Sequence, residues 1–154
     1  MRAGISLGSN LGDRAAHLSA AVESLRQLST SPATTLVSSF RETRPVDCPP
    51  NSPPFLNAAA EIDWTQPPRR LLEHLQKLEA AHGRPAARST NAPRPLDLDL
   101  LYCGDHVIDE PNLILPHPRL TQRSFVLAPL AEICPEFEIP GTSRSVQNLL
   151  ATLS

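Results

Sequence analysis

The stretch Arg94-Pro-Leu-Asp-Leu-Asp-Leu-Leu101 alternates leucine with aspartate. Strand side chains alternate faces, so Leu96, Leu98 and Leu100 are expected on one side and Asp97 and Asp99 on the other. That spacing puts the two aspartate Cα atoms roughly 6–7 Å apart on one wall. Two hard oxygen ligands so placed can hold one or two Mg²⁺ ions together with a phosphate substrate. Arg94 adds an anion-binding group three residues upstream. The plainer reading is a half-buried strand with charge on its solvent face. The flanking sequence has to choose between them.

Three arginines, Arg84, Arg88 and Arg94, fall within eleven residues just before the aspartates. His117 and Arg123 follow them. Arginine forks match phosphate oxygens, and Mg²⁺ with several arginines is the equipment of phosphoryl transfer. Gly8-Ser-Asn-Leu-Gly12 is too short for a Walker loop and lacks its lysine, so side chains and metal would have to hold the phosphates.

The chain has 154 residues, 40% apolar, with a net charge of −2. That suits one domain spanning 1–154 with a real core. There is no basic footprint for nucleic acid and no segment apolar enough for a membrane. Three scattered cysteines suggest neither a disulfide framework nor a metal cluster, and a reducing cytoplasm is the expected compartment.

The elements follow from periodicity and punctuation. Ile5-Ser-Leu7 reads as a first strand ending in a turn. Leu18, Ala21, Val22, Leu25 and Leu28 recur at helical spacing over 14–28, with Asp13 as cap. A strand is expected over 34–40. Five prolines between Thr43 and Pro54 exclude helix and central strand there. Phe55–Trp64 reads as a strand. Leu71, Leu75 and Leu78 mark a helix over 67–81, with Gly83 just past its end. The Asp-Leu-Asp strand should run to Cys103 and turn at Gly104-Asp105 into a hairpin with Val107-Ile108. A helical region over 120–133 should break or kink near Pro129. Phe137–Ile139 and Val146–Leu153 complete the chain as strand and helix. The order β-α-β-β-α-β-β-α argues an α+β fold, a ferredoxin-like antiparallel or mixed sheet flanked by helices in three αβα layers.

Several motifs together then resemble those of the 6-hydroxymethyl-7,8-dihydropterin pyrophosphokinases. They are Gly8-Ser-Asn-Leu11, Phe55-Leu-Asn-Ala-Ala59, Glu79 with Gly83-Arg84, the Pro93–Leu101 block, Pro116-His-Pro-Arg119, and Arg123-Ser-Phe-Val-Leu127 with Pro129-Leu130. The resemblance implies transfer of the β,γ-pyrophosphoryl unit of ATP to the hydroxymethyl group of the reduced pterin, a step of folate synthesis. It implies that Asp97 and Asp99 hold two Mg²⁺ ions, and that Arg84 and Arg94 act with them in catalysis. Gln76, Glu79, Arg84, Arg88, Arg94, Leu100, His117 and Arg123 would contact ATP. Phe55 and Phe125 would sandwich the pterin, Asn57 would read its amide edge, and the backbone near Thr43 and Val46 the rest. The two irregular stretches would be loops that close over substrates. The chain departs from the pattern at Asn91, where the family has tryptophan, at Ala86, where it has arginine, and at Pro118. Partners would be ATP and the pterin alone, and the protein a monomer. Two other readings remain open at this point: a noncatalytic α+β binding module, and a Mg²⁺-dependent kinase that moves only the γ-phosphate.

Overall fold

A computed structural model describes residues 1–44, 53–83 and 95–153. Nine strands and four helices are formed among them. In chain order they are β1 (Arg2–Ser9), α1 (Arg14–Leu28), β2 (Leu36–Val37), β3 (Arg41–Thr43), β4 (Phe55–Asp63), α2 (Pro68–Ala81), β5 (Asp97–Cys103), β6 (Ile108–Glu110), β7 (Leu113–Leu115), α3 (Ser124–Ile133), β8 (Glu138–Ile139), β9 (Arg144–Ser145) and α4 (Val146–Thr152).

The main sheet runs β2-β4-β1-β5, with β3 also pairing with β4, and every pair is antiparallel. This is the ferredoxin-like order, with the first strand central. Alternation sorts its side chains into two faces. Ile5, Leu7, Ala58, Ala60, Ile62, Leu98 and Leu100 pack against Leu18, Ala21 and Leu25 of α1 and Leu71 and Leu75 of α2. Each large aliphatic chain so buried stabilises the fold by about 1.5–3 kcal/mol before entropy is counted. On the opposite face Ala59, Leu101 and Tyr102 pack under Val126, Leu127 and Leu130 of α3 and Val146 and Leu149 of α4. Helices therefore cover both faces, as the three-layer reading requires.

Local chemistry explains the ends. The Asp13 carboxylate accepts the Ala16 N–H at 3.1 Å and caps α1. Pro68 opens α2, where a missing N–H costs nothing. Among the described residues no helix is long and apolar enough to cross a membrane.

Three expectations are corrected. Of the strand expected over 34–40 only Leu36–Val37 forms, with β3 starting afresh at Arg41, because Ser38 turns its own groups on β4. Its N–H donates to Ala59 O and its Oγ accepts the Ala59 N–H, each at 2.9 Å. Val107-Ile108 does not form a hairpin with the Asp-Leu-Asp strand. The Gly104 N–H closes onto Arg2 O of β1, and β6 pairs instead with β7, a strand the sequence reading missed. Helix α3 runs through Pro129 without a break. The interruption falls at Arg123, whose extended backbone (φ −118°, ψ 104°) separates a 3₁₀ turn at Leu120–Gln122 from α3. Of the two sheet types expected, antiparallel or mixed, the described strands form the antiparallel one.

One glycine is fixed by packing. A Cβ on Gly4 would fall inside the ring of Tyr102. That ring cannot retreat, since its hydroxyl donates to buried Glu61 and its face stacks on Phe137 at 4.2 Å. Gly4→Ala is therefore expected to cost about 1–3 kcal/mol as overpacking, read as a lower urea midpoint with an unchanged slope.

Candidate active site

The second sheet face carries small residues along its central strand: Gly4, Ser6 and Gly8. Register then lines up Asn57, Gly8 and Asp97 across three strands, and Ala59, Ser6 and Asp99 in the next row. Strands lie about 4.8 Å apart, so Asn57 and Asp97 face each other across a trough roughly 10 Å wide floored by glycine. The two aspartates sit on one face of β5, half-buried, while Leu98 and Leu100 enter the opposite core. The alternation read from the sequence holds here.

Asn57 is 5% exposed, so its amide is held in place. Its Nδ2 donates to Thr43 Oγ1 on the neighbouring strand. Its Oδ1 lies 3.2 Å from where a Gly8 Cβ would stand, and the Phe55 ring lies 3.4 Å from the same point. Thr43, Phe55 and Asn57 thus converge over Gly8. Phe125 sits half-buried in the first turn of α3, and α3 packs over β4. The helix is anchored there by Glu132, which accepts from Ser39 Oγ at 2.7 Å and from Arg41 at 2.9 Å. The Ser39 hydrogen bonds come first among the causes that hold the Glu132 carboxyl below its ordinary range.

On the β5 side a bulge does the positioning. The pairing with β1 shifts between Gly4 and Ile5, leaving Leu101 as the extra residue. Leu101 and Tyr102 can then both pack under α3 and α4, and the Leu101 carbonyl accepts the His117 N–H at 2.8 Å. Burial holds His117 below the ordinary imidazole range, Arg123 and Arg119 lower it further, and Asp97 opposes them. His117 is therefore neutral near pH 7. Its Nδ1 accepts the Arg119 N–H at 3.2 Å, so the ring proton belongs on Nε2, which is left as a donor. The Arg123 guanidinium lies over the Phe125 ring, 5.4 Å from its centre, a cation–π contact.

A cleft of about 270 Å³ opens beside this face. Leu72, Leu98, Asp99, Leu100, His117 and Pro118 are among its walls. Glu79 reaches β5 from α2, and its Oε2 accepts the Leu98 N–H at 2.8 Å, between the two aspartates. Its carboxylate thereby covers the open edge of the sheet. Gln76 is exposed on α2 and does not line the cleft.

The structure thus gathers Asp97, His117, Arg123 and Phe125 on one side, and Thr43, Phe55 and Asn57 on the other. Val46, Arg84, Arg88 and Arg94, with Ala86 and Asn91, lie outside the described residues. Sequence reasoning missed the roles of Gly8 and Arg119. The period-two run of small residues Gly4, Ser6, Gly8 was the available signal for the trough.

The chemistry of the donor set fits Mg²⁺: two carboxylates at alternate positions on one strand face, with no nitrogen or sulfur donor between them. The same face offers a half-buried aromatic beside a fixed amide, which suits a flat heterocycle with an amide edge.

Comparison with known proteins gives the family. The family described as 7,8-dihydro-6-hydroxymethylpterin-pyrophosphokinase matches residues 4–135. A Bacillus subtilis protein named 2-amino-4-hydroxy-6-hydroxymethyldihydropteridine pyrophosphokinase is 45% identical over 140 residues, covering 90% of this chain and 81% of its own. A Methylorubrum extorquens protein of the same name is 43% identical over 161 residues, covering 99% and 93%. Among solved structures, a Plasmodium falciparum HPPK-DHPS triple mutant with pteroate superposes with a TM-score of 0.73 at 13% identity. It covers 98% of this chain, which spans only 43% of that longer one, and the likeness there is one of fold.

Proposed function

Since the chain belongs to the 7,8-dihydro-6-hydroxymethylpterin-pyrophosphokinase family, we propose that its trough-bearing sheet face is where pyrophosphoryl transfer takes place. The enzyme moves pyrophosphate from ATP to the hydroxymethyl group of 6-hydroxymethyl-7,8-dihydropterin, within folate biosynthesis. The hydroxymethyl oxygen forms a bond to the β-phosphorus, the bond from that phosphorus to the oxygen bridging the α-phosphate breaks, and AMP leaves with the bridging oxygen.

The observation that carries the assignment is the row Asn57–Gly8–Asp97. It sets an amide and a carboxylate at the two ends of a flat floor about one heterocycle wide, which supports reading them as amide reader and metal ligand. In this reading Phe55 and Phe125 clamp the pterin, Asn57 and the Thr43–Val46 segment fix its amide edge, and the hydroxymethyl arm points to β5. Asp97 and Asp99 hold two Mg²⁺ ions, which supply charge neutralisation for the phosphates when bound. His117 donates through Nε2, and Arg123 adds a fixed positive charge. Arg84, Arg88 and Arg94 neutralise the remaining phosphate charge, with Arg84 and Arg94 acting on the transferred group. Leu100 lies in the cleft beside the nucleotide, with Gln76 and Glu79 on the helix above. Glu79 also acts indirectly, by fixing the Leu98 amide between the aspartates. Most of the catalysis is positioning and charge stabilisation.

The test is the nucleotide product. Mg²⁺-dependent appearance of AMP, only when the dihydropterin is present, supports the reading. ADP as the product would instead establish a γ-phosphate kinase, and binding without turnover a noncatalytic module. The pterin clamp has its own check by calorimetry of each ligand alone. Phe125→Ala and Asn57→Ala are each expected to weaken pterin binding by about 1–3 kcal/mol with ATP binding little changed. Equal losses for both ligands would make these residues supports of the core.

A further inference from the structure

Between the helices on the face opposite the aspartates lies a polar pair that the proposed site does not use. His17 on α1 and His82 at the end of α2 bring their Nδ1 atoms to 2.8 Å. Their rings meet edge to face, 68° apart with centres 5.0 Å apart. One Nδ1 carries a proton and the other accepts it, so the two nitrogens face each other across a shared proton. Both residues are half-buried. Gly12 leaves room beside the outer nitrogen, its Cβ position lying 3.2 Å from His17 Nε2. Burial, then the neighbouring His17, holds His82 below its ordinary imidazole range.

We propose that His17 and His82 form a two-imidazole site for a borderline divalent ion, Zn²⁺, Ni²⁺ or Cu²⁺, distinct from the aspartate pair. Metal–nitrogen bonds of about 2.0–2.1 Å at a tetrahedral angle need the two nitrogens about 3.3 Å apart. The nitrogens have to separate by about 0.5 Å from their hydrogen-bonded spacing, and the rings to tilt so that both lone pairs meet at the ion. The ring that carried its proton on Nδ1 takes the Nε2–H tautomer, so no proton is lost from the neutral pair. Imidazole nitrogens suit these ions and not Mg²⁺ or Ca²⁺, which keeps the site separate in chemistry from β5. Among the described residues no third His, Cys, Asp or Glu joins the two, so water fills the other positions and the ion exchanges readily. A bound ion ties the first turns of α1 to the last turn of α2. That turn begins at Glu79, whose carboxylate holds the Leu98 amide between Asp97 and Asp99.

The experiment uses the full chain without a histidine tag. Zn²⁺ is titrated while the ¹⁵N resonances of all five histidines are followed. The Nδ1 signals of His17 and His82 are expected to move together and saturate, with His74 and His106 as internal references. Thermal melts with Ni²⁺ are run in parallel on the unaltered chain and on Asp97→Asn/Asp99→Asn, which removes the carboxylate pair. Both should gain about 3–6 °C at ten times the dissociation constant. His82→Phe, which keeps ring volume, should abolish the gain. Unmoved Nδ1 resonances, or a gain that survives His82→Phe, overturn the proposal. Should the phenylalanine variant not fold, the resonances of the unaltered chain decide alone.

Discussion

Asp97→Ala and Asp99→Ala are each expected to lower turnover by on the order of 10³-fold or more, with the fold unchanged. Both carboxylates stand on the trough face of β5, outside the leucine core that the same strand fills with Leu98 and Leu100. Removing either side chain opens no cavity in that core, so stability should change by no more than about 1 kcal/mol. The loss in rate has a different origin. A phosphate chain carrying several negative charges has to approach a nucleophile, and in the proposed reading this pair would hold the metal charge, which no neighbouring group replaces. Steady-state turnover at saturating Mg²⁺, beside a urea melt, separates the two effects. Near-native turnover in either variant would remove the aspartates from the site.

Gly8→Val carries the second large effect and tests the other end of the trough. A Cβ at Gly8 already stands 3.2 Å from Asn57 Oδ1 and 3.4 Å from the Phe55 ring. Two further methyl groups would occupy the floor proposed to carry the pterin and push the Asn57 amide off its position. Pterin affinity should fall by on the order of 100-fold, about 2.7 kcal/mol. ATP affinity should fall much less, because the cleft that includes Leu72, Leu100 and His117 lies on the other side of β5. Gly8→Ala sets the lower bound, since one methyl meets contacts that are tight but not impossible. Calorimetry with each ligand alone gives the comparison. Parallel losses for ATP and pterin would mean that Gly8 serves the sheet and not the pocket.

Much of this site is legible in the sequence because its signals are local. Asp-Leu-Asp needs only the period of a strand to put both carboxylates on one wall. Asp13 before an amphipathic run needs only the geometry of a cap. What escapes is set by distant partners. Ser38 interrupts an expected strand because Ala59, twenty-one residues away, takes both its backbone and its hydroxyl hydrogen bonds. Gly104 reads as a hairpin turn, yet its N–H goes to Arg2 at the start of the chain. The Leu101 bulge, which seats His117, depends on Tyr102 finding the space above Gly4. Pro129 illustrates the limit of propensity: α3 keeps its course and leaves the Phe125 carbonyl without its usual donor. Gly8 stands in a recognisable turn signature, but its use as a floor appears only when Asn57 and Asp97 are brought to either side of it.

The most direct measurement is anomalous diffraction from crystals of the enzyme with Mn²⁺, a non-hydrolysable ATP analogue and the dihydropterin. Mn²⁺ takes oxygen ligands as Mg²⁺ does and can be located by its scattering. Two manganese peaks are expected at the Asp97 and Asp99 carboxylates, both also bound to analogue phosphates, with the pterin ring between Phe55 and Phe125 above Gly8. Manganese bound away from β5, with none at either aspartate, would contradict the account.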